Sequence, residues 1–228
     1  MISNIFKVEL YKQKKFIIPF TLGSYLAIFS LIALYWFITK YNISLFTERY
    51  IVIDFLSGII APLLVSYAVN QSIRQDRHAG NFVITNYVKN PFFDWGESQI
   101  IFTWLYNAIF STIIILLLSL IFGTSFQYLL VFNICNLFIV ANICYLITRI
   151  FSETITYIVS FAAILLSLIA RTSLFDNTML LVPPTWDIRM TLITMYNSSN
   201  FMIGVIIFII FGLILTITNL IISYFINI

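Results

Sequence analysis

Residues Ser98–Thr148 read SQIIFTWLYNAIFSTIIILLLSLIFGTSFQYLLVFNICNLFIVANICYLIT, and none of them is Asp, Glu, Lys or Arg. A helix that crosses a bilayer takes about 20 predominantly apolar residues, so this stretch holds two spans. The break falls at Gly123-Thr124-Ser125, three residues of turn chemistry. That predicts spans at 98–122 and 126–148 joined by a tight connection.

The rest of the chain reads the same way. Of its 228 residues, 61% are hydrophobic, 18% aromatic and only 9% charged. A soluble domain carries roughly a quarter charged residues. This chain has too few to cover a folded surface, so lipid is its expected solvent. Residues 16–38 are uncharged and end in the aromatic run Tyr35-Trp36-Phe37, an interfacial belt pattern. Residues 50–69 form a second span carrying Asp54, 154–170 a fifth, and 201–226 a sixth. The fold class is therefore an all-α integral membrane protein of six transmembrane helices in a single domain, 1–228. The basic N-terminus precedes a long span without a small-residue cleavage pattern, so Met1 is expected to stay attached to the first helix.

The basic residues give the orientation. With the N-terminus inside, the inner segments hold Lys7, Lys12, Lys14, Lys15, Arg74, Arg77, Lys89 and Arg149. The outer segments hold Lys40, Arg49, Arg171 and Arg189. The excess of basic residues inside predicts that both termini face the cytoplasm.

Several segments carry more specific expectations. Residues 2–15 suit an amphipathic interfacial helix, with Ile2, Ile5, Phe6, Leu10 and the following Phe16 on one face and Asn4, Lys7, Lys14 and Lys15 on the other. Such a helix lies on an anionic inner leaflet. Glu9 and Gln13 fall inside its apolar arc; Glu9 either snorkels or meets a basic or helix-terminal partner. Gly23, Ala27 and Ser30 make a small-residue stripe that suits close packing within the subunit or pairing with a second one. Pro62 with Gly58 is expected to bend the second span. Ser152 suits the N-cap of the fifth helix, beside a local Arg149–Glu153 pair. Residues 171–200, with Pro183-Pro184, read as an external cap whose Trp186 sits at the headgroup level.

No phosphate-binding loop, H-E-x-x-H or G-x-S-x-G sequence occurs, so ATP hydrolysis and hydrolase chemistry are not expected of this chain. His78 stands in a polar stretch without a second ligand and reads as solvated. Cys135 and Cys144 are nine residues apart on one helix, on opposite faces, so no disulfide joins them. Nothing points to nucleic acid.

The inner segment 70–97 is far longer than the five-residue turn Arg149–Glu153. It is helix-like, with aromatics at Phe82 and Tyr87, and Lys89-Asn90-Pro91 ends the helical run. A helix held along the cytoplasmic face without a soluble domain of its own reads as a docking element for another protein.

At this point the chain resembles the ABC-2 type permease family, and within it the small permeases of lantibiotic-immunity and peptide-export transporters. The likeness rests on Val8-Glu9-Leu10-Tyr11-Lys12 before the first span, on Asp76-x-x-Ala79-Gly80-Asn81-Phe82 with Pro91 beyond it, and on Pro183-x-Thr185-Trp186-x-x-Arg189 before the last span. It departs from the family in having Phe92-Phe93-Asp94 after the proline and Asp76 in place of a glutamate. The resemblance implies a bacterial plasma-membrane permease that pairs with a like or related permease and with cytoplasmic ATPase subunits, which would hold the ATP and magnesium. It implies that Asp76, Arg77, Gly80, Asn81 and Phe82 receive the ATPase, that Glu9 and Lys12 belong to the interfacial helix, and that hydrophobic or amphipathic peptides are expelled. Two other readings stand beside it. A six-helix substrate-binding subunit of a vitamin-uptake transporter would use Asn133, Asn136 and Asn142 as a polar pocket, although interhelical hydrogen bonding explains them equally well. An intramembrane enzyme would need paired catalytic groups, which the spans lack.

Overall fold

A computed structural model describes residues 7, 10–39, 46–78, 95–122, 127–169, 186–196 and 200–226. Among them all regular structure is helical. The seven helices are α1 Ile17–Thr39, α2 Phe46–His78, α3 Trp95–Phe122, α4 Gln127–Ile150, α5 Glu153–Ile169, α6 Trp186–Tyr196 and α7 Asn200–Ile226. A turn of helix over residues 10–14 precedes α1. Among the described residues, four helices are long and apolar enough to cross a membrane: α1, α3, α4 and α7. The chain is an all-helical membrane protein.

α4 is the hub. It packs against α2, α3, α5, α6 and α7, and 56% of its residues are buried, against 17% for the spanning part of α7. Its central place explains why Asn133, Asn136 and Asn142, which scatter around its axis, are all buried. A helix surrounded by neighbours has no lipid face on which an amide would be stranded.

The peripheral helices turn one stripe inward. Ile17, Thr21, Tyr25, Ile28 and Ile32 of α1 are buried at helical spacing, and face α3 and α2. The small-residue stripe lies on the other side of α1. No atom comes within 4 Å of a Cβ built on Gly23, and Ala27 and Ser30 are exposed. Among the described residues nothing therefore packs on Gly23, and Ala27 and Ser30 stay exposed. Ser30 still satisfies its hydroxyl, donating to the Leu26 carbonyl at 2.9 Å. On α7 the inward stripe is Gly204, Phe208, Gly212 and Asn219. Gly204 and Gly212 admit the rings of Phe132 and Phe138 from α4, which a Cβ would meet at 2.8 and 3.0 Å.

Hydrogen bonds fix how the helices sit in an apolar medium, where an unpaired polar group costs several kcal/mol. Trp104 Nε1 of α3 donates to the Ile134 carbonyl of α4 at 2.9 Å. Ser111 of α3 donates to Asn133. Asn219 Nδ2 of α7 donates to Asn142 Oδ1 at 3.0 Å and lies 3.3 Å from the Asn142 carbonyl. The two cysteines are free.

α6 departs from the expected external cap. Trp186 is buried, with its ring 4.9 Å from Phe211 and 5.6 Å from Phe208 of α7. The indole packs into the bundle against α7. Met190, one turn on, lies beside Gly204, so α6 runs antiparallel to α7. Phe208 and Phe211 lie about 12–17 Å along α7 at 1.5 Å per residue, close to mid-depth of a ~30 Å hydrocarbon core. With 11 residues, α6 is roughly 16 Å long, enough to reach the near end of α7 and no further. Ring packing against two phenylalanines gives the indole close van der Waals and edge-to-face contact.

Candidate functional site at the basic end of the bundle

The start of α1, the end of α2, the start of α3 and the α4–α5 turn meet at one end of the bundle. α2 does not stop at residue 69, the expected end of its span. It continues unbroken to His78 because Asn70, Ser72, Ile73 and Asp76 face inward at helical spacing and are buried. The first nine residues of the long polar segment are thus the last turns of α2. Residues 79–94 lie outside the described residues, and with them Gly80, Asn81 and Phe82; Glu9 does too.

Asp76 sits at the centre of this end with its side chain only 4% exposed. One carboxylate oxygen forms an ion pair with Lys12 Nζ, and the other accepts from Gln99 Nε2. Three elements far apart in sequence meet there: the turn before α1, the last turn of α2 and the first turns of α3. Gln13, next to Lys12, is fully buried. That settles why a glutamine falls in the expected apolar arc of the N-terminal segment. This side of residues 10–14 faces the polar foot of the bundle, while Lys7, Lys14 and Lys15 are exposed. Leu10, Tyr11 and Phe16 are also exposed, and Lys15 lies over the Phe16 ring at 5.4 Å. Removing one partner of a buried charge pair strands the other; the cost here is roughly 3 kcal/mol, the low end of the usual range, since Lys12 keeps some water.

Arg77 points elsewhere. It is exposed, and its Nη2 lies 3.5 Å from the Thr148 carbonyl in the last turn of α4, where a cation offsets the negative end of the helix dipole. Asp76 and Arg77 are therefore adjacent in sequence but divided in role, one facing inward and one at the rim.

The α4–α5 turn is tied to α2. Thr148 Oγ1 donates to Asn70 Oδ1 at 2.6 Å and lies 2.8 Å from Thr156 Oγ1. Asn70 Nδ2 donates to the Glu153 carbonyl at 3.3 Å. Ser152 caps α5 as expected, accepting from the Ile155 amide at 3.3 Å. The Arg149 guanidinium lies over the Tyr145 ring, 5.9 Å from its centroid. Tyr145 in turn packs on the first turn of α3, where a Cβ on Gly96 would fall 2.0 Å from the phenol oxygen. Only glycine allows that approach.

Glu97 and Asp76 are both buried, whereas Lys7, Lys14, Lys15, Arg74 and Arg77 are exposed. The outer rim of this end is thus strongly basic. Among the described residues no group of His, Cys, Asp and Glu of a size to hold a metal ion occurs. The arrangement is mechanical in character: a buried polar core around Asp76, Asn70 and Thr148 that ties several helix ends together.

Sequence reasoning brought Asp76, Arg77 and Lys12 forward but did not join Lys12 to Asp76, and it missed Gln99, Asn70 and Thr148. The one available signal was Gln13, a polar residue in an apolar arc. Comparison with family models, curated proteins and solved structures gave no match.

Proposed function

We propose that this chain is the permease subunit of an ATP-driven exporter in the bacterial plasma membrane, one that expels hydrophobic or amphipathic peptides. In this reading α2 and α5 join the four long apolar helices to make six spans, the basic end is cytoplasmic, and a second permease completes the pathway. ATPase subunits supply the hydrolysis. They engage the connection between α2 and α3, with Phe82 as the anchoring side chain and Gly80 and Asn81 beside it; Arg77 contributes from the rim. Glu9 belongs to the N-terminal segment that the same push reaches.

The observation that supports this most is the convergence of the N-terminal segment, the foot of α2 and the foot of α3 on Asp76. Both ends of the α2–α3 connection issue from that point or within a few residues of it. A partner that pushes on the connection therefore acts on helix ends already tied to α4 and α5, and the load passes into the bundle as a rigid-body motion. Of the three asparagines behind the vitamin-uptake alternative, Asn133 and Asn142 are engaged in bonds between α4 and its neighbours, which favours interhelical hydrogen bonding for those two.

Coexpression with an ATPase encoded beside this chain tests the reading. The wild-type chain is expected to copurify with it, and Phe82→Ala to weaken capture, since truncating an aromatic anchor costs about 2 kcal/mol or more. Full capture and full stimulation of hydrolysis by Phe82→Ala, with normal membrane insertion, would remove Phe82 from the docking surface.

A further inference from the structure

We infer that Lys12 and Gln99 are positioning residues, and that with Asp76 they form a joint fastening the N-terminal segment to the paired feet of α2 and α3, so that these elements move as one body. Three observations carry this. Both carboxylate oxygens of Asp76 are engaged, each by a different element, Lys12 on one side and Gln99 on the other. The carboxylate is buried, with its side chain 4% exposed, so a loosened N-terminal segment takes a cationic partner away from a negative charge in a poorly solvated site. Gln13 is fully buried next to Lys12, so the segment cannot lift at Lys12 without uncovering a second polar side chain.

These features make the joint close to two-state. A surface ion pair yields gradually, because water replaces each partner at little cost. Here the ammonium and the amide hold one buried charge from two sides, so losing the ammonium leaves a desolvated carboxylate without the cation that offsets it. Gly96 sharpens this, because its lack of a Cβ seats the first turn of α3 directly on Tyr145 of α4. Gln99, one turn on, is thereby presented from a fixed base. Lys12 is the basic residue of the N-terminal segment withdrawn from the rim; Lys7, Lys14 and Lys15 remain exposed. The joint stands on the contacts alone. Only its part in relaying ATPase motion to the N-terminal segment rests on the function proposed above.

Thiol labelling tests it on the whole chain in inverted membrane vesicles without any ATPase. Gln13→Cys in a Cys135→Ser background is the reporter, and the buried native Cys144 reports that the bundle is intact. With the joint present, Gln13→Cys is expected to react slowly with a polar maleimide. Lys12→Gln and Asp76→Asn should each raise its rate at least tenfold while Cys144 stays protected, and combining them should add little more. Gln99→Leu should raise the rate less, since it removes the neutral partner. Lys12→Arg should preserve protection. Lys12→Gln, altering the more solvated partner, decides the matter where Asp76→Asn exposes Cys144. An unchanged Gln13→Cys rate in Lys12→Gln overturns the joint; failure of the wild-type chain to capture the ATPase in the separate coexpression, with the labelling pattern as expected, instead speaks against the docking reading and leaves the joint standing.

Discussion

Gly204→Ala and Gly23→Ala are the same chemical change on two apolar helices, and the structure predicts opposite signs for them. In each, replacing glycine by alanine favours the helix by about 1 kcal/mol. At Gly23 nothing opposes this gain, because no heavy atom lies within 4 Å of the added methyl. At Gly204 the methyl falls 2.8 Å from Phe132 Cε1, 3.0 Å from its Cζ and 3.4 Å from Met190 Sδ. The methionine can adjust. The Phe132 ring cannot do so freely: it is fully buried, with Phe201 and Phe208 each 5.6 Å away between centroids. Restoring ordinary contact requires the ring to move by roughly half an ångström or more into close-packed neighbours, and overpacking of this kind costs about 1–3 kcal/mol. The steric term wins. Gly204→Ala should be destabilised by about 1 kcal/mol net and Gly23→Ala stabilised by up to about 1 kcal/mol. For a chain of this size the two midpoints should differ by roughly 4–8 °C. Thermal unfolding in detergent, followed by a thiol-reactive dye as Cys144 and Cys135 become accessible, measures the difference. Equal midpoints, or a more stable Gly204→Ala, would refute the packing of α7 on α4.

Three further outcomes follow from named contacts. Asn142→Leu removes the acceptor for Asn219 and should destabilise the α4–α7 pair by about 1 kcal/mol, the scale of interhelical hydrogen bonds in membranes; the dye assay reads it, and no loss would mean the amides do not pair. Trp186→Ala empties the space between Phe208 and Phe211 and should cost about 3–5 kcal/mol, far more than an indole at the headgroup level would; the same melt separates the two placements. Polar maleimides applied to intact cells should label Lys40→Cys and leave Arg74→Cys untouched; labelling of Arg74→Cys would reverse the proposed orientation.

Much of the helical framework was legible because charge is so costly in lipid that its absence marks the spans. The uncharged run from Ser98 to Thr148 divides at Gly123-Thr124-Ser125 as expected, with α3 ending at Phe122 and α4 starting at Gln127. Ser152 as a cap was equally legible, since capping is a local matter of three residues. The central place of α4 was harder to read, because its asparagines look disordered around the axis until all its neighbours are known. α6 was hidden by the prolines and charges around it, although Trp186, Met190 and Thr194 repeat every four residues and are all buried. The joint at Asp76 was not legible at all. Lys12, Asp76 and Gln99 come from three elements, and a single sequence holds no record of which distant residues meet. The same holds for α2: its polar end looked like a separate element because Asn70, Ser72 and Asp76 are hydrophilic, yet they are buried by partners that the local pattern does not contain.

In the proposed function this chain carries peptides across the membrane using hydrolysis by a partner, with the basic end as the input. The most direct measurement is ATP-dependent uptake of a labelled amphipathic peptide into inverted membrane vesicles containing the chain, its second permease and the ATPase. Uptake is expected to require ATP, to be abolished when the ATPase is inactivated, and to fall markedly in Asp76→Asn vesicles containing equal amounts of inserted protein. Uptake that proceeds equally without ATP, or no uptake and no peptide stimulation of hydrolysis from a fully assembled complex, would contradict it.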